Sequence, residues 1–263
     1  MSQDTAVPDL PLPGGGQLPV VGFGTWRLSG DQAETATAAA LRAGYRHIDT
    51  AVMYGNEAEI GVALAGSGLS RAKVFLTTKI RPSDLGRESA VLRRSLRELR
   101  TDYVDLWLAH WPPQRPQERR QLWNAARELR DEGLTRAIGV SNYSLGEIDD
   151  LIAATGEAPA VNQVRWSPGR FDPAQLAGHR DRGVILEGYS PIKDTRLSDP
   201  VLTQVAANHD VTPAQVVLRW HLEHGIPVIP KSARPDRITA NFDVFGFTLT
   251  EAEVASIDAL GGR

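Results

Sequence analysis

Short apolar segments of this chain repeatedly end on a polar side chain that could take part in catalysis. The segment RHID ends on Asp49, VFLTTK ends on Lys79 and VDLWLAH ends on His110. Further segments of this kind end on hydroxyl, amide, phenol and ammonium groups, which are those of Ser141, Asn142, Gln163, Tyr189 and Lys231. A hydrophobic core needs apolar residues at such positions, so the repeated polar ending indicates a functional site.

The residue types in the first part of this set suit the reduction of a carbonyl group. Tyr54 carries a proton that could pass to the carbonyl oxygen, although a free phenol has a pKa of about 10. A neighbouring cation lowers that pKa, and Lys79 is the candidate, with Asp49 as its counter-charge. His110 could donate a ring N–H to the oxygen as negative charge develops there. Together these groups predict hydride transfer.

Apolar strands and helical segments alternate between these residues. Their spacing of about 30 residues is the length of a βα unit. Eight such units close into a barrel whose active site lies at the C-terminal ends of the strands. The predicted strands are 20–24, 46–49, 74–79, 103–109, 135–140, 160–164, 184–188 and 226–229. The predicted helices are 33–43, 57–65, 87–99, 117–131, 173–181 and about 235–241, with two further pieces within 199–224.

Local signals mark where several helices begin and end. Capping boxes that predict helix starts are formed by Ser144 with Glu147, Thr212 with Gln215, and Thr250 with Glu253. Gly44 is expected to end the helix at 33–43. The Pro- and Gly-rich start predicts a hairpin around Gly14, Gly15 and Gly16. We therefore predict one α/β domain over 1–263, a (β/α)8 TIM barrel with an N-terminal hairpin and a C-terminal extra helix ending near Leu260.

Composition narrows the class of protein. The 263 residues fit a barrel of this type, which typically has about 250. A net charge of −3 offers no electrostatic footprint for nucleic acid or an anionic membrane. The absence of cysteine excludes disulfides, thiolate metal sites and a cysteine nucleophile. The first residues lack the pattern of a signal peptide, and no apolar run approaches the roughly 20 residues needed to cross a membrane, so we expect a cytoplasmic protein.

Longer motifs in the same order resemble the aldo-keto reductase family. GYRHIDTAVMYGNEAEIG (44–61), RAIGVSNY (136–143) and IPKSARPDRI (229–238) resemble its signatures, and SLRELRTDYVDLWLAHWP (95–112) resembles the strand with the histidine. The similarity extends from GFGTW (22–26) to the final helix. It implies an NADP-dependent oxidoreductase that reduces aldehydes and ketones, with Asp49, Tyr54, Lys79 and His110 as its catalytic tetrad.

The same resemblance implies an NADP(H) site and a pocket for a small carbonyl substrate. Ser141, Asn142 and Gln163 would hold the nicotinamide carboxamide, and Tyr189 would stack on its ring. Lys231, Ser232 and Arg237 would bind the adenosine 2′-phosphate, which favours NADPH over NADH. The other implied cofactor contacts are Thr25 near the ribose, Asn241 near the adenine, Asp49 and Ser190. The implied substrate pocket is lined by Trp26, Met53, Arg81 and Trp111.

Some positions depart from the family pattern. Ala240 stands where a glutamate is common, which weakens the expected contact with the adenine amine. Arg165, Trp166 and Ser167 replace a common Glu-Tyr-His, and we expect them to reshape the rim of the site. Arg81 replaces an aromatic residue and either pairs with an anionic substrate or clamps its own loop through Asp84. Because the chain stops at Arg263, the C-terminal loop that covers the substrate in longer relatives is expected to be short or missing.

Other functions are weighed against this one. A cofactor-binding, redox-sensing or accessory protein on the same fold would have lost Tyr54 or His110, and both are present. A glycosidase needs two carboxylates, but Glu187 is the only other strand-end acid and has no evident partner. His221 and His224 share a helix face but have no third ligand in view, so we predict no metal. The two glycines of GFG lack the third glycine of a Rossmann fingerprint. No feature demands an interface, so we expect a monomer.

Overall fold

Eight parallel strands follow one another around a barrel in chain order, as the βα spacing predicts. The computed structural model describes residues 8–13 and 15–261, so Gly14, at the predicted hairpin turn, lies outside the described residues. An antiparallel hairpin of β1 (Asp9–Pro11) and β2 (Gln17–Pro19) precedes the barrel. The barrel strands are β3 (Phe23–Gly24), β4 (His47–Asp49), β5 (Phe75–Ile80), β6 (Val104–Ala109), β7 (Thr135–Ser141), β8 (Val161–Arg165), β9 (Ile185–Tyr189) and β10 (Val228–Ile229).

Helices connect successive strands and surround the barrel. Their bounds are α1 (Asp31–Ala43), α2 (Glu57–Gly66), α3 (Glu88–Glu98), α4 (Pro116–Asp131), α5 (Leu145–Thr155), α6 (Pro173–Asp181), α7 (Pro200–Asn208), α8 (Pro213–Glu223), α9 (Pro235–Phe242) and α10 (Glu251–Asp258). All three predicted capping boxes are present, at the starts of α5, α8 and α10. Gly44 ends α1 with φ 109°, a left-handed conformation that favours glycine. No helix among the described residues is both long and apolar enough to cross a membrane.

The first and last barrel strands are shorter than predicted, and they meet at the seam where the barrel closes. Val21 forms an isolated parallel bridge with Val228, and the amide of Gly22 donates to the Val228 carbonyl over 2.9 Å. A Cβ on Gly24 would lie 2.9 Å from the Ile229 carbonyl oxygen, so this close approach needs a glycine. The glycines of GFG therefore close the barrel.

Two hydrophobic clusters hold the helices against the strands. The larger one joins β3–β7 to α1–α5, and the second lies between β8, β9, α6–α8 and α10. Trp166 is 1% exposed within the second cluster, and Ser167 is fully buried. The expectation that these two residues reshape the rim of the site is therefore wrong. Trp166 packs with Phe171, and this contact places it in the hydrophobic layer of the fold.

Candidate active site

A sealed ion pair lies at the C-terminal ends of β4 and β5. Lys79 is fully buried, and its Nζ donates to Asp49 Oδ1 and Oδ2 over 2.7 and 2.8 Å. The Thr50 carbonyl accepts a further hydrogen bond from Nζ at 2.9 Å. Burial by itself lowers the pKa of Lys79, but Asp49, Tyr54 and Glu187 together raise it above its ordinary value. The ammonium group is thus held charged in a sealed site, which a buried cation requires.

A short 3₁₀ turn after β4, Val52–Tyr54, presents the phenol to this ion pair. Its hydroxyl oxygen is 3.4 Å from Lys79 Nζ, which also lies 5.1 Å from the ring centroid. Burial raises the pKa of Tyr54 above its ordinary value, and Lys79 only partly opposes that rise. The predicted net lowering is therefore wrong, because the cost of desolvating a phenolate exceeds the attraction of the cation. Tyr54 consequently keeps its proton at neutral pH.

His110 follows β6 and packs against the phenol ring of Tyr54. The two ring centroids are 5.6 Å apart in an edge-to-face arrangement. Burial and the charge of Lys79 lower the pKa of His110 to about 3, so the imidazole is neutral and carries one N–H. Of its ring nitrogens only Nδ1 is sealed from solvent, and it has no partner within 8–13 and 15–261. Nε2 is left to face the open side of the site.

Large apolar side chains surround the open side of the phenol. Trp26, Met53 and Trp111 are 44%, 43% and 46% exposed, unlike the other large apolar residues of the described chain. The Trp26 ring centroid lies 4.9 Å from that of Tyr54. These residues are therefore available to a substrate and are not core aromatics. The guanidinium of Arg81 instead contacts Asp84 through Nε at 2.7 Å and a second nitrogen at 3.1 Å.

Polar groups at the ends of β7, β8 and β9 form a row beside the ion pair. Ser141 is in register with Gln163, and Gln163 is in register with Glu187. Asn142 has φ 64°, and its Nδ2 donates to the His110 carbonyl over 3.1 Å, while its Oδ1 accepts from the Tyr189 hydroxyl at 2.9 Å. The Gln163 amide thus contacts Asp49 of the ion pair, and the half-buried Tyr189 ring, which suits stacking, is held by Asn142.

A separate group of polar residues lies between β10 and α9. Lys231 and Arg237 are exposed and form no salt bridge with any residue that the structure describes. Ser232, next to Lys231 in the chain, is buried and contacts the Arg234 backbone, and Asn241 is buried on α9. Arg234, by contrast, is paired with Asp236 at 2.7 Å. Exposed cations without a carboxylate partner are available to a phosphate group.

The residues fit NADP(H) at both ends of the molecule. The side-chain carbonyl oxygen of Gln163 accepts no hydrogen bond from any described residue. It could therefore accept one from the NH₂ group of the nicotinamide carboxamide. Lys231 and Arg237 offer positive charge to a 2′-phosphate. Thr25 is less available, since it is fully buried and its hydroxyl donates to the Asp49 carbonyl over 2.9 Å. Ser190 has φ 54° just after β9 and is partly accessible.

Sequence reasoning missed the contacts of several buried groups beneath the site, including the partner of the strand-end acid Glu187. Glu187 accepts a hydrogen bond from Gln163, and His47 lies beside it. Asn56 is fully buried and joins Thr50 to the loop after β3. A polar residue inside an apolar strand was the available signal for Glu187. Because Asp49 and Glu187 are both sealed beneath Gln163, they do not flank an open cleft as the glycosidase alternative requires.

His221 and His224, the two histidines for which the sequence predicts no metal, each have a different partner. His221 is fully buried, with Nδ1 2.7 Å from the Val217 carbonyl, and His224 contacts Asp258 at 2.8 Å. No group of three or more potential metal ligands occurs within 8–13 and 15–261.

Comparison with known proteins places this site in context. The model of the aldo/keto reductase family matches residues 20–261. An aldo-keto reductase of Mycolicibacterium vanbaalenii is 43% identical over 263 residues, or 99% of this chain and 94% of the relative. A crystal structure of an aldo/keto reductase from Brucella melitensis is 42% identical with a TM-score of 0.94, covering 97% of this chain and 100% of that chain. A Bombyx mori aldo-keto reductase, solved in complex with NADP, is 32% identical with a TM-score of 0.90, covering 97% of this chain and 93% of that chain.

Proposed function

Because this chain belongs to the aldo/keto reductase family, as an NADP-dependent oxidoreductase, we propose that it reduces aldehydes and ketones to alcohols with Tyr54 as the proton donor. When bound, NADPH supplies the hydride that reaches the carbonyl carbon. The observation that carries the proposal is the contact of the Tyr54 hydroxyl with Lys79, whose charge Asp49 balances.

The Tyr54 proton passes to the carbonyl oxygen of the substrate. The O–H bond of the phenol breaks as the new O–H bond of the alcohol forms, and the negative charge passes to the phenolate. Lys79 Nζ, 3.4 Å from the phenol oxygen, stabilises that phenolate. Asp49 keeps the ammonium charged and in place, so its effect on the reaction acts through Lys79. Alcohol oxidation uses the same groups in reverse.

His110 orients the carbonyl. Its neutral imidazole donates from Nε2, the ring nitrogen that is not sealed from solvent. A fixed N–H that points at the carbonyl oxygen stabilises the negative charge developing there. This stabilisation is larger in the partly buried site than in water, because the site has a lower dielectric constant. Trp26, Met53 and Trp111 form the apolar side of the substrate pocket. Their exposure supports an open pocket that accepts a range of carbonyl compounds.

This chain holds the cofactor through two groups of residues. Ser141, Asn142 and Gln163 bind the carboxamide, and Tyr189 stacks on the nicotinamide ring. Lys231, Ser232 and Arg237 bind the 2′-phosphate, supported by the absence of a carboxylate partner for either cation within the described residues. Thr25, Ser190 and Asn241 are the remaining proposed contacts.

Tyr54→Phe tests the proton donor. The variant keeps the ring and removes the proton, so turnover should fall by at least the ~10²-fold typical of losing an acid–base group. NADPH binding, measured by fluorescence titration, should be retained. Activity is followed by NADPH oxidation with a panel of aldehydes and ketones. Tyr103→Phe is the matched control, because it removes the same hydroxyl from a tyrosine beside Arg71, at the start of β6.

Near-normal turnover of Tyr54→Phe would remove Tyr54 as the acid. NADPH binding by the wild-type protein without oxidation by any carbonyl would favour the cofactor-binding accessory alternative.

A further inference from the structure

Glu187 is a fully buried carboxyl group that the proposed reaction does not use. It lies on β9, in register with Gln163 on β8. Its Oε2 accepts a hydrogen bond from Gln163 Nε2 at 2.7 Å. Glu187 Oε1 is also sealed from solvent and has no partner in the described part of the chain. Burying a polar group without a full set of hydrogen bonds costs free energy. The presence of Glu187 at this position therefore suggests that it has a role.

The contact determines which way the Gln163 amide faces. Gln163 Nε2 also donates to Asp49 Oδ2 over 2.8 Å. A primary amide has two N–H groups, so Asp49 and Glu187 together use both of them. The amide is then fixed with its nitrogen toward the barrel interior. Its Oε1 lies on the opposite side, without a donor among the described residues and not sealed from solvent.

His47 explains how Glu187 can stay beside Asp49. Its Nδ1 is fully buried without a partner in the described chain and lies 3.8 Å from Glu187 Oε1. Burial lowers the pKa of His47 to about 3, and burial together with Asp49 raises the pKa of Glu187 to about 8. At neutral pH both His47 and Glu187 are therefore uncharged. Glu187 Oε2 remains an acceptor and adds no second negative charge beside Asp49.

We propose that Glu187 is a positioning residue for the cofactor, because it fixes the Gln163 amide with Oε1 toward the amine of the nicotinamide carboxamide. The inference rests on the proposed NADP(H) site. If the inference is right, Glu187 affects binding of the nicotinamide end of the cofactor and not binding of its 2′-phosphate end. Lys231 and Arg237, at the other end, are outside its contacts.

Two ligands separate this role from a general structural one. NADP⁺ carries the carboxamide, whereas adenosine 2′,5′-bisphosphate carries the 2′-phosphate and no nicotinamide. Glu187→Leu removes the acceptor, so it should weaken NADP⁺ about fivefold, the equivalent of one ordinary hydrogen bond. Binding of the bisphosphate should stay within about twofold. Both dissociation constants are measured by titration calorimetry, which needs no turnover.

Glu187→Gln provides the conservative variant. Its amide keeps a carbonyl oxygen for Gln163 and places an NH₂ group opposite His47 Nδ1, so NADP⁺ affinity should match wild type. Glu57→Leu is the matched control, because Glu57 is a buried carboxyl that accepts from Thr78 and Ser95 and does not contact Gln163. It should leave both affinities unchanged. Glu187→Ala takes the place of Glu187→Leu if the latter does not fold.

Equal weakening of both ligands by Glu187→Leu or Glu187→Ala would overturn the positioning role. Unchanged NADP⁺ affinity in those variants, or a loss in Glu187→Gln as large as in Glu187→Leu, would overturn it too. If the wild-type protein binds NADP⁺ but reduces no carbonyl, the proposed reaction is wrong. The effect of the Glu187 variants on NADP⁺ affinity would still support the positioning role.

Discussion

Two cation–carboxylate pairs lie at opposite ends of the barrel strands, and they differ in what else they contact. Before β5, Arg71 pairs with Asp105 at 2.6 Å and also donates to Thr101 Oγ1 at 2.8 Å and the Tyr103 carbonyl at 3.0 Å. The Asp105 carboxylate accepts the amide of Leu76 at 2.9 Å as well. Both charged side chains of this cluster thus form hydrogen bonds with backbone groups or neighbouring side chains. Such an arrangement stabilises the fold.

The pair at the C-terminal end uses a lysine and lies beside the Tyr54 hydroxyl and His110. Lys79 is fully buried, whereas the Arg71 side chain is 24% exposed. Around Lys79, the Tyr54 hydroxyl is only 3.4 Å away and His110 Nε2 is not sealed. An arginine satisfies a fixed set of acceptors, while a compact ammonium in a sealed site exerts its charge on a neighbouring group. Both pairs are satisfied by hydrogen bonds, so they differ in their neighbours: the Tyr54 hydroxyl lies beside Lys79, and His110 Nε2 remains accessible nearby.

Lys79→Met and Arg71→Met should separate the two pairs most strongly. Lys79→Met leaves Asp49 without its cation and the phenolate without stabilisation, so kcat should fall by at least ~10²-fold. Arg71→Met should lower the Tm while kcat of the folded protein stays within about twofold, since its cluster lies at the opposite end of the strands. Steady-state kinetics and thermal unfolding are measured on both variants. A loss of kcat in Arg71→Met equal to that in Lys79→Met would show that the distinction is false.

Arg237→Ala extends the comparison to cations on α9. An arginine–phosphate contact is worth roughly 1.5–3 kcal/mol, or about 10- to 100-fold in affinity. The variant should therefore weaken NADPH by that factor and NADH very little. Arg234→Ala is the control, because Arg234 already pairs with Asp236. Fluorescence titration measures the dissociation constants of both cofactors. Equal losses of affinity for NADPH and NADH would refute the phosphate role.

The buried Glu187 should make stability depend on pH. Its folded pKa of about 8 is above the ordinary 4.5, so between these values the folded protein holds a proton that the unfolded chain has released. The contribution of this raised pKa to the free energy of unfolding is complete below about pH 4.5 and is lost as pH rises toward 8. Glu187→Gln cannot titrate, so its free energy of unfolding should decline less from pH 5 to pH 8. Asp49, Lys79 and His47 face the same group and are common to both proteins.

Urea denaturation of wild type and Glu187→Gln at several pH values measures this difference. Parallel stability curves from pH 5 to pH 8 would mean that Glu187 is ionised in the folded protein.

Arg81→Ala should have the smallest effect. The guanidinium already makes a bidentate contact with Asp84, which also pairs with Arg87 at 2.8 Å. We therefore expect the loop clamp, and not the pairing with an anionic substrate. The ratio of kcat/KM between a matched anionic and neutral carbonyl should change by less than about twofold, because a partly exposed pair contributes little. A larger change in that ratio would restore Arg81 as a selector of substrate charge.

Patterns within short stretches of sequence predicted most of the fold. Strand and helix positions agree with the structure to within a few residues, and the capping boxes open α5, α8 and α10 where Ser144, Thr212 and Thr250 predict them. These signals are local, because side-chain periodicity and helix capping depend on residues only a few positions apart. The order of the polar strand ends likewise predicted that Asp49, Tyr54, Lys79 and His110 would meet at one end of the barrel.

What only the tertiary structure decided depends on groups far apart in sequence. The direction of the Tyr54 pKa shift is set by a balance between burial and the charge of Lys79, and sequence shows the cation but not the desolvation. The partner of Glu187 is Gln163 on the neighbouring strand, and its link to Asp49 spans 114 positions of the chain. Trp166, which follows β8, is buried among residues of α6–α8 and α10, most of them distant from it in sequence. Sequence thus determined which residues are present at the strand ends, and three-dimensional packing determined their charge states and partners.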